Sequence, residues 1–247
     1  MDRKKIINIY IIVITVLTVL AMIYGVYRIF KIGSPLLSLG KSKNVSESVD
    51  VESFEKMELD MSVCEVELKP GDDYHVSYDL EGLNTTEYIP QIDVKDGALT
   101  IVQKKAKNAS LLNSLRSCVV TITVPKDAKL TSIKMTTDVG DLNIKDIKCD
   151  DINIISHVGD IDVVDATVDL LTIKADVGDI DINSGKYDTI SVTSNVGDVK
   201  VKDSICNTVT ADSNIGDVSV DNVLDESGNK PNMDVNVDIG DKNINDK

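Results

Sequence analysis

The segment LTIKADVGDIDI, residues 171–182, contains the pattern that decides the fold of this chain. Its tripeptide Val-Gly-Asp recurs along the sequence, with Ile in place of Val in the last two copies. Five of the glycines follow one another at intervals of 19 residues, and a sixth follows after 24 residues. A fixed period of this size is typical of a solenoid or another repeat array. The glycines are Gly140, Gly159, Gly178, Gly197, Gly216 and Gly240.

Apolar and polar residues alternate on both sides of each glycine, which is the pattern of a strand with one buried face. After each Gly-Asp pair the alternation resumes one residue out of phase. Two consecutive outward residues allow the chain to bend while its apolar face stays inside. In the copy around Gly178 the predicted inward residues are Leu171, Ile173, Ala175, Val177, Ile180 and Ile182.

Each Gly-Asp pair is therefore predicted to form a sharp structural corner between two strands. Glycine adopts positive φ without steric cost, and Asp can bond nearby backbone amides. A looser second turn is expected later in each repeat, for example at Lys145–Asp146 or Ser184–Gly185. We predict an all-β fold, a β-solenoid or single-chain β-helix of about 19 residues per coil, with coils stacked about 4.8 Å apart.

The N-terminal part of the sequence predicts a membrane anchor. Residues 6–27 contain no charged side chain, and about 20 such apolar residues span a bilayer as one helix. We expect a short cytoplasmic tail at residues 1–5 and one transmembrane helix within residues 6–30. A cleaved signal peptide is the alternative, but the stretch is long for one and lacks a typical cleavage site. Basic residues flank both sides, so an extracytoplasmic C-terminal domain is expected by analogy with signal-anchor proteins rather than from charge.

The rest of the chain is predicted to form a linker and a solenoid domain. Residues 31–50 are polar and are expected to be the linker. The domain is expected at residues 51–247, with a divergent first part at 51–129, regular repeats at 130–220, an insertion at 221–232 and a cap at 233–247. In the divergent part Cys64 and Glu65 take the place of Gly and Asp, and Asp96–Gly97 predicts a hairpin turn. Lys242 interrupts the last apolar column, as expected of a cap.

The charge of the chain excludes one class of ligand. Asp and Glu number 41 against 26 Lys and Arg, which gives a net charge of −15. Nucleic-acid binding needs clustered Lys and Arg, so we do not expect it here. An acidic surface should instead attract cations or basic partners.

The four cysteines form two groups. Cys149 and Cys206 each lie nine residues after a repeat glycine, which places them in one column, three coils apart. That separation is about 14 Å and exceeds disulfide reach, so both are predicted to be free core residues. Cys64 and Cys118 could pair, and the spacing leaves their state open. The chain has no CxxC pair, so a zinc site is not expected.

A column of aspartates that follow the repeat glycines is the main candidate for a binding site. Stacked coils would place these side chains about 4.8 Å apart, and hard cations such as Ca²⁺ prefer oxygen ligands. The alternative is that each Asp caps its own corner, with the repulsion screened by water and salt. No other cofactor is predicted. The candidate metal ligands are Asp141, Asp160, Asp179, Asp198 and Asp217, with Asp241 beyond the insertion.

Enzymatic activity is not predicted. Pairs of aspartates could act as acid and base on a polysaccharide, as in glycoside hydrolysis. However, the short uniform coils provide no long loops to build a groove, and the chain has no Trp for sugar stacking. The motifs H-E-x-x-H, G-x-S-x-G and G-x-x-x-x-G-K-[ST] are absent, and His75 and His157 are the only histidines.

The segment TITVPKDAKL at residues 121–130, followed by the Val-Gly-Asp repeats, resembles a bacterial family of unknown function known as "putative adhesins". The resemblance covers about residues 50–245. It implies a β-solenoid tethered by an N-terminal membrane segment, with no catalytic residues. The implied function is adhesion or sensing at the cell envelope, through a protein or another envelope ligand. A regulatory partner of a membrane stress-sensing system and a Ca²⁺-binding surface structure are the alternatives. The expected location is the cell membrane, with a single pass.

Overall fold

The structure is a computed structural model that describes residues 43–83, 85–105 and 115–245. The described residues belong to one compact unit, Ser42–Lys247, and contain seventeen strands in one continuous sheet that curls on itself. A short 3₁₀ turn lies at Thr85–Glu87. Within this described part no helix is long and apolar enough to cross a bilayer. The predicted transmembrane helix at residues 6–30 lies outside the described residues.

The strands fall into an N-terminal group and a repeat group. The N-terminal group is β1 (Lys43–Asp50), β2 (Lys56–Val63), β3 (Glu65–Gly71), β4 (His75–Gly82), β5 (Gln91–Lys95), β6 (Ala98–Val102) and β7 (Leu115–Pro125). The repeat group is β8 (Leu130–Val139), β9 (Leu142–Lys145), β10 (Lys148–Val158), β11 (Ile161–Val177), β12 (Ile180–Val196), β13 (Val199–Lys202), β14 (Ile205–Ile215), β15 (Val218–Asp221), β16 (Asn232–Ile239) and β17 (Lys242–Asn245).

Parallel pairing between equivalent residues of successive repeats builds the regular part. Ile161 pairs with Ile180, which lies 19 positions later, and the same offset is kept from β8 to β15. The insertion between β15 and β16 does not disturb this order, because Val218 pairs with Lys242 across it. The predicted all-β, solenoid-like stack is confirmed.

The interior of the stack consists of the predicted aliphatic columns. Ile173 and Val192, which face each other on adjacent coils, are both fully buried. The second turn of each repeat is also present, since one polar residue per coil adopts positive φ there. Asp, Asn and Ser tolerate this conformation better than branched residues do. These residues are Asp146, Asp165, Ser184, Asp203 and Asn222.

The residue immediately before each repeat glycine differs from its prediction. Alternation predicts an inward side chain, yet Val139, Val158, Val177 and Ile239 are 37 to 46% exposed, and the two remaining residues, Val196 and Ile215, are half-buried. The last buried side chain before the corner is the small residue three positions before the glycine, such as Ser156, Ala175 or Ser194. The chain has already begun to bend when it reaches the valine. These side chains therefore form an apolar column on the outside of the corner.

The N-terminal strands stack in an order that differs from their order in the sequence. β2 and β3 pair in parallel with β8 and β9 on one side and with β6 and β7 on the other. β4 then pairs antiparallel with β7, and β1 with β4. β6, which pairs with β2, also pairs antiparallel with β5. Sequential stacking, as predicted for the regular repeats, applies from β8 onward, and the divergent first part follows a different order.

Two N-terminal segments correct the predicted boundaries. Residues 43–50, predicted as the end of the linker, form strand β1. Its side chains are mostly exposed, so it lacks the apolar alternation of a core strand and is held by backbone pairing with β4. The sequence KPGDD at residues 69–73 also predicts a turn, and the observed turn is shorter because β3 continues to Gly71. The hairpin at Asp96–Gly97 is confirmed, with φ values of 52° and 72°.

Candidate functional site

Each repeat corner is built around a glycine that the neighbouring coil approaches closely. The six corner glycines have φ between 141° and 147°. A Cβ atom on Gly178 would lie 2.1 Å from the carbonyl oxygen of Gly159. The N–H of Gly178 donates to the carbonyl oxygen of Val196 at 3.0 Å, so backbone pairing continues through the corner. Glycine is required both for the backbone conformation and for the close approach.

The aspartates that follow these glycines form a ladder of hydrogen bonds. In each step the Oδ1 atom of one aspartate accepts a hydrogen bond from the backbone N–H of the aspartate on the next coil. The step from Asp160 to Asp179 measures 2.8 Å. The other steps are Asp141 to Asp160 at 2.9 Å, Asp179 to Asp198 at 2.8 Å, Asp198 to Asp217 at 2.9 Å and Asp217 to Asp241 at 2.8 Å.

This ladder gives the aspartates a structural role that differs from the predicted one, because each Oδ1 caps the corner of the next coil rather than its own corner. One oxygen of each carboxylate from Asp141 to Asp217 is used to join two coils, whereas Ca²⁺ takes six to eight oxygen ligands. Among the residues that the structure describes, no three His, Cys, Asp or Glu side chains are grouped so that they could hold a metal ion. Ca²⁺ binding at Asp141, Asp160, Asp179, Asp198 and Asp217 therefore stays a prediction without a preformed cage.

A second polar column lies two residues before each glycine. Asp176 bridges two coils, since its Oδ2 is 2.6 Å from His157 Nδ1 and its Oδ1 accepts a hydrogen bond from Asn195 Nδ2 at 2.8 Å. Asn214 Nδ2 continues the column by donating to Asn195 Oδ1 at 3.0 Å. The corner face thus combines carboxylates, amides and the exposed valine column at regular spacing.

The structure settles the pairing of the cysteines. Cys64 and Cys118 form a disulfide across 54 residues of sequence. Cys64 occupies the corner position of its coil, where its N–H donates to the carbonyl oxygen of Val139 at 2.9 Å. Cys149 and Cys206 are buried and free, as predicted. Burial raises the pKa of both thiols to about 11, so they are protonated at neutral pH and act as core residues.

A groove of about 410 Å³ lies at the end of the stack formed by β1, β4 and β5. The hydroxyl of Tyr78 in this groove donates to the carboxylate of Glu47. Burial, together with this acceptor and its charge, raises the pKa of Tyr78 to about 12. Sequence reasoning missed the groove because its walls come from separate strands. Its apolar lining includes Val49, Val51, Ile92 and Val94, and its acidic lining is Glu47, Glu52 and Asp93.

The structure also brings together Ser48, His75 and Asp50, which sequence analysis did not connect. His75 Nε2 is 2.7 Å from Ser48 Oγ, and His75 Nδ1 is 2.7 Å from Asp50 Oδ1. This is the order of groups in a serine-hydrolase triad. However, the Asp50 side chain is 89% exposed and none of the three residues lines the groove. Such catalysis depends on a preorganised site that excludes water, so we assign these contacts to pairing between β1 and β4.

Comparison with known proteins gives one family match. The family model described as Toastrack DUF4097 matches residues 54–246. No curated protein matches the sequence. A solved structure from Bacteroides fragilis, described as a "putative adhesin", is 18% identical, covers 83% of this chain and 97% of its own, and has a TM-score of 0.49. A "putative cell adhesion protein" from Clostridium sporogenes is 18% identical, covers 84% of this chain and 100% of its own, and has a TM-score of 0.44. A "putative lipid binding protein" from Parabacteroides distasonis is 15% identical, covers 84% of this chain and 98% of its own, and has a TM-score of 0.33.

Proposed function

Because this chain belongs to the Toastrack DUF4097 family, we propose that it is a non-enzymatic, membrane-anchored protein whose β-solenoid domain binds a component of the cell envelope outside the cytoplasm. The observation that carries this proposal is the disulfide between Cys64 and Cys118. Disulfides form and persist in oxidising compartments and are rare in the cytosol. The uncharged segment at residues 6–27 is long enough to hold the domain at the membrane.

The surface of the stack supports a binding role. Side chains on neighbouring coils hold one another in place, as in the aspartate ladder and the contacts of Asp176. A surface that is already ordered loses less conformational entropy when a partner binds. The net charge of −15 favours basic partners or cations. Adhesion, the role named for the similar proteins from Bacteroides fragilis and Clostridium sporogenes, is one form of this function.

The acidic groove favours a second candidate function, that of a regulatory partner of a membrane stress-sensing system. Such a role requires a docking site for another protein, and the groove offers apolar and acidic side chains together. Purification of the full chain from detergent extracts, compared with a variant that lacks residues 6–27, separates the two roles. A regulatory partner that is itself a membrane protein should copurify with the anchored chain and be lost with the variant. An adhesin should bind intact cells or envelope material through its domain alone.

Topology and disulfide state test the leading proposal. The full chain with a C-terminal epitope tag is expressed in bacteria, and protoplasts are treated with an external protease. We expect digestion of the domain while a cytoplasmic control protein survives, and a Cys64–Cys118 bond in material alkylated at harvest. The variant without residues 6–27 should be protected and reduced. Protection of the full chain until lysis, with both cysteines reduced, would overturn the proposal.

A further inference from the structure

We propose that the groove between β1 and β5 binds an extended, basic segment of a partner protein, which adds as a strand to the free edge of β5. This inference deepens the proposed function by naming the site and the chemistry of the partner. It rests on three features of the groove as the described residues form it: a strand edge without a pairing partner among them, an incompletely covered core and an acidic lining.

The first feature is the unpaired edge. Within the described residues β5 pairs only with β6, and β1 pairs only with β4. The turn at Asp96–Gly97 makes Lys95 and Ala98 the closing pair of the hairpin. In this geometry the N–H groups of Ile92 and Val94 point away from β6. Free edges of this kind are templates for an added strand.

The second feature is the partly covered core beside β5. Ile92 and Val94 point toward the interior but are only half-buried. Their partners on β6, Ile101 and Leu99, are fully buried. Val49, on the β1 side of the groove, is 36% exposed. An added strand with apolar side chains on one face would cover these groups, as each coil covers the next in the rest of the stack.

The opposite end of the stack, unlike the groove end, carries a residue that blocks further strands. Lys242 pairs with Val218 and so continues the register of an apolar column, but its side chain is exposed on this last coil. Its ammonium group donates to the carbonyl oxygen of Val235 at 2.7 Å. A charged residue in the register of an apolar column prevents a further strand from packing against that end. The described lining of the groove at the β5 end contains no basic residue, so this blocking device is not repeated there.

The third feature is the acidic lining, which selects the occupant. Glu47, Glu52 and Asp93 line the groove. Asp93 lies between Ile92 and Val94 on the exposed face of β5, so a Lys on an added strand can pair with it while apolar neighbours enter the groove. Pairing with a second copy of the chain would bring carboxylates together. Like charges disfavour that complex, and the groove therefore favours a basic foreign strand.

The binding test uses the full chain in a non-ionic detergent and a labelled peptide with alternating residues, acetyl-KVKVKV-amide. Fluorescence anisotropy should show binding that weakens as salt increases. The acidic peptide EVEVEV should not bind, and KVKPKV, which cannot form a regular strand, should bind weakly. Hydrogen exchange with bound peptide should slow at the amides of Ile92 and Val94.

Charge-reversal variants locate the site. Asp93→Lys should weaken peptide binding about tenfold or more. The matched control is Asp150→Lys, which changes the net charge equally at an exposed position of the repeat group and should leave binding unchanged. Urea unfolding confirms that both variants fold. Equal affinity of Asp93→Lys and wild type, or equal losses in both variants, would overturn the proposal.

A remaining outcome identifies a different occupant. If the full chain dimerises in sedimentation experiments and Asp93→Lys abolishes the dimer, a second copy fills the groove and the proposal is wrong. Failure of peptide binding leaves the protease and alkylation results untouched. The location of the domain and the partner of its groove are therefore tested separately.

Discussion

The repeat group, β8 to β17, and the N-terminal group, β1 to β7, join the same stack by different means. In the repeat group each residue pairs with one that lies 19 positions away, or 24 across the insertion. By contrast, Met57 of the N-terminal group pairs with Ile133 of β8, which is 76 positions away. The entropic cost of closing a loop increases with its length. The repeat group is therefore supported by local pairing, whereas the N-terminal group depends on distant contacts and on its disulfide.

The corners of the two groups also differ, because they carry different residues. The six repeat corners use glycine, and the corner of β2 and β3 uses Cys64, whose φ is not positive. A Cβ atom on Gly140 would lie 2.0 Å from the carbonyl oxygen of Cys64. Glycine is therefore required at Gly140, where a Cβ atom would meet the backbone of the Cys64 coil. The N-terminal corner carries a side chain instead, and uses it for the bond to Cys118.

Removal of the disulfide should have the largest effect on stability. The double variant Cys64→Ala/Cys118→Ala releases a loop of 54 residues, which corresponds to a loss of about 4 kcal/mol in the free energy of unfolding. Urea unfolding of the full chain measures this loss. Hydrogen exchange should show that β2, β3 and β7 lose protection while β11 and β12 keep theirs.

Dithiothreitol supplies the control for this prediction. It should destabilise the wild type to the level of the double variant and leave the variant itself unchanged. Cys149 and Cys206 are free in both proteins, so they do not respond. If protection falls equally in β11 and β12, the two groups unfold as one unit and the contrast between them does not hold.

A side chain at a repeat corner should have the next largest effect. Gly178→Ala places a methyl group against the carbonyl of Gly159 at a backbone φ of 144°. Strain and steric overlap together should cost about 3 kcal/mol or more in the free energy of unfolding. The matched control is Gly228→Ala in the insertion, where φ is 78° and no atom lies within 4 Å of the added Cβ. That change should cost only about 1 kcal/mol. Equal costs would contradict the close-approach argument.

Much of the repeat group could be predicted from the sequence because the same corner, with the same residue pattern around it, recurs in every coil. Six Gly-Asp pairs in register identify the corners and the aliphatic columns, and the same register places Cys149 and Cys206 apart. Alternation does not reveal how much space a corner leaves inside, so the exposure of Val158 was not predicted. The sequence also does not distinguish a cation-binding column from a hydrogen-bonded ladder. That distinction depends on where each carboxylate lies relative to the next backbone N–H.

The N-terminal group could be predicted only in part because its pairing has no period. Alternation indicated that Met57 and Leu59 face the interior, and Asp96–Gly97 indicated the hairpin. The placement of β2 between β6 and β8 depends on contacts between distant segments, which a local pattern does not record. The groove was not predicted for the same reason, since β1, β4 and β5 are separate in the sequence and come together only in the folded chain.

The smallest predicted effect concerns the small residues inside the repeat corners. The hydroxyl of Ser194 is buried, and the structure places no hydrogen-bond partner beside it. One coil earlier Ala175 fills the equivalent position, which shows that a methyl group fits. A buried hydroxyl without a partner costs about 1–3 kcal/mol, so Ser194→Ala should raise the free energy of unfolding by about 1 kcal/mol.

Ser213 provides the matched control for this change on the following coil. Its hydroxyl donates to the carbonyl oxygen of Gly197 at 3.4 Å, so Ser213→Ala should leave stability unchanged or lower it by about 0.5–1 kcal/mol. Urea unfolding of both variants compares the two sites directly. If Ser194→Ala is as destabilising as Ser213→Ala, its hydroxyl has a partner in solution, and a buried water is the simplest one. The corner interior would then be hydrated, and its small residues would serve to hold water rather than only to save space.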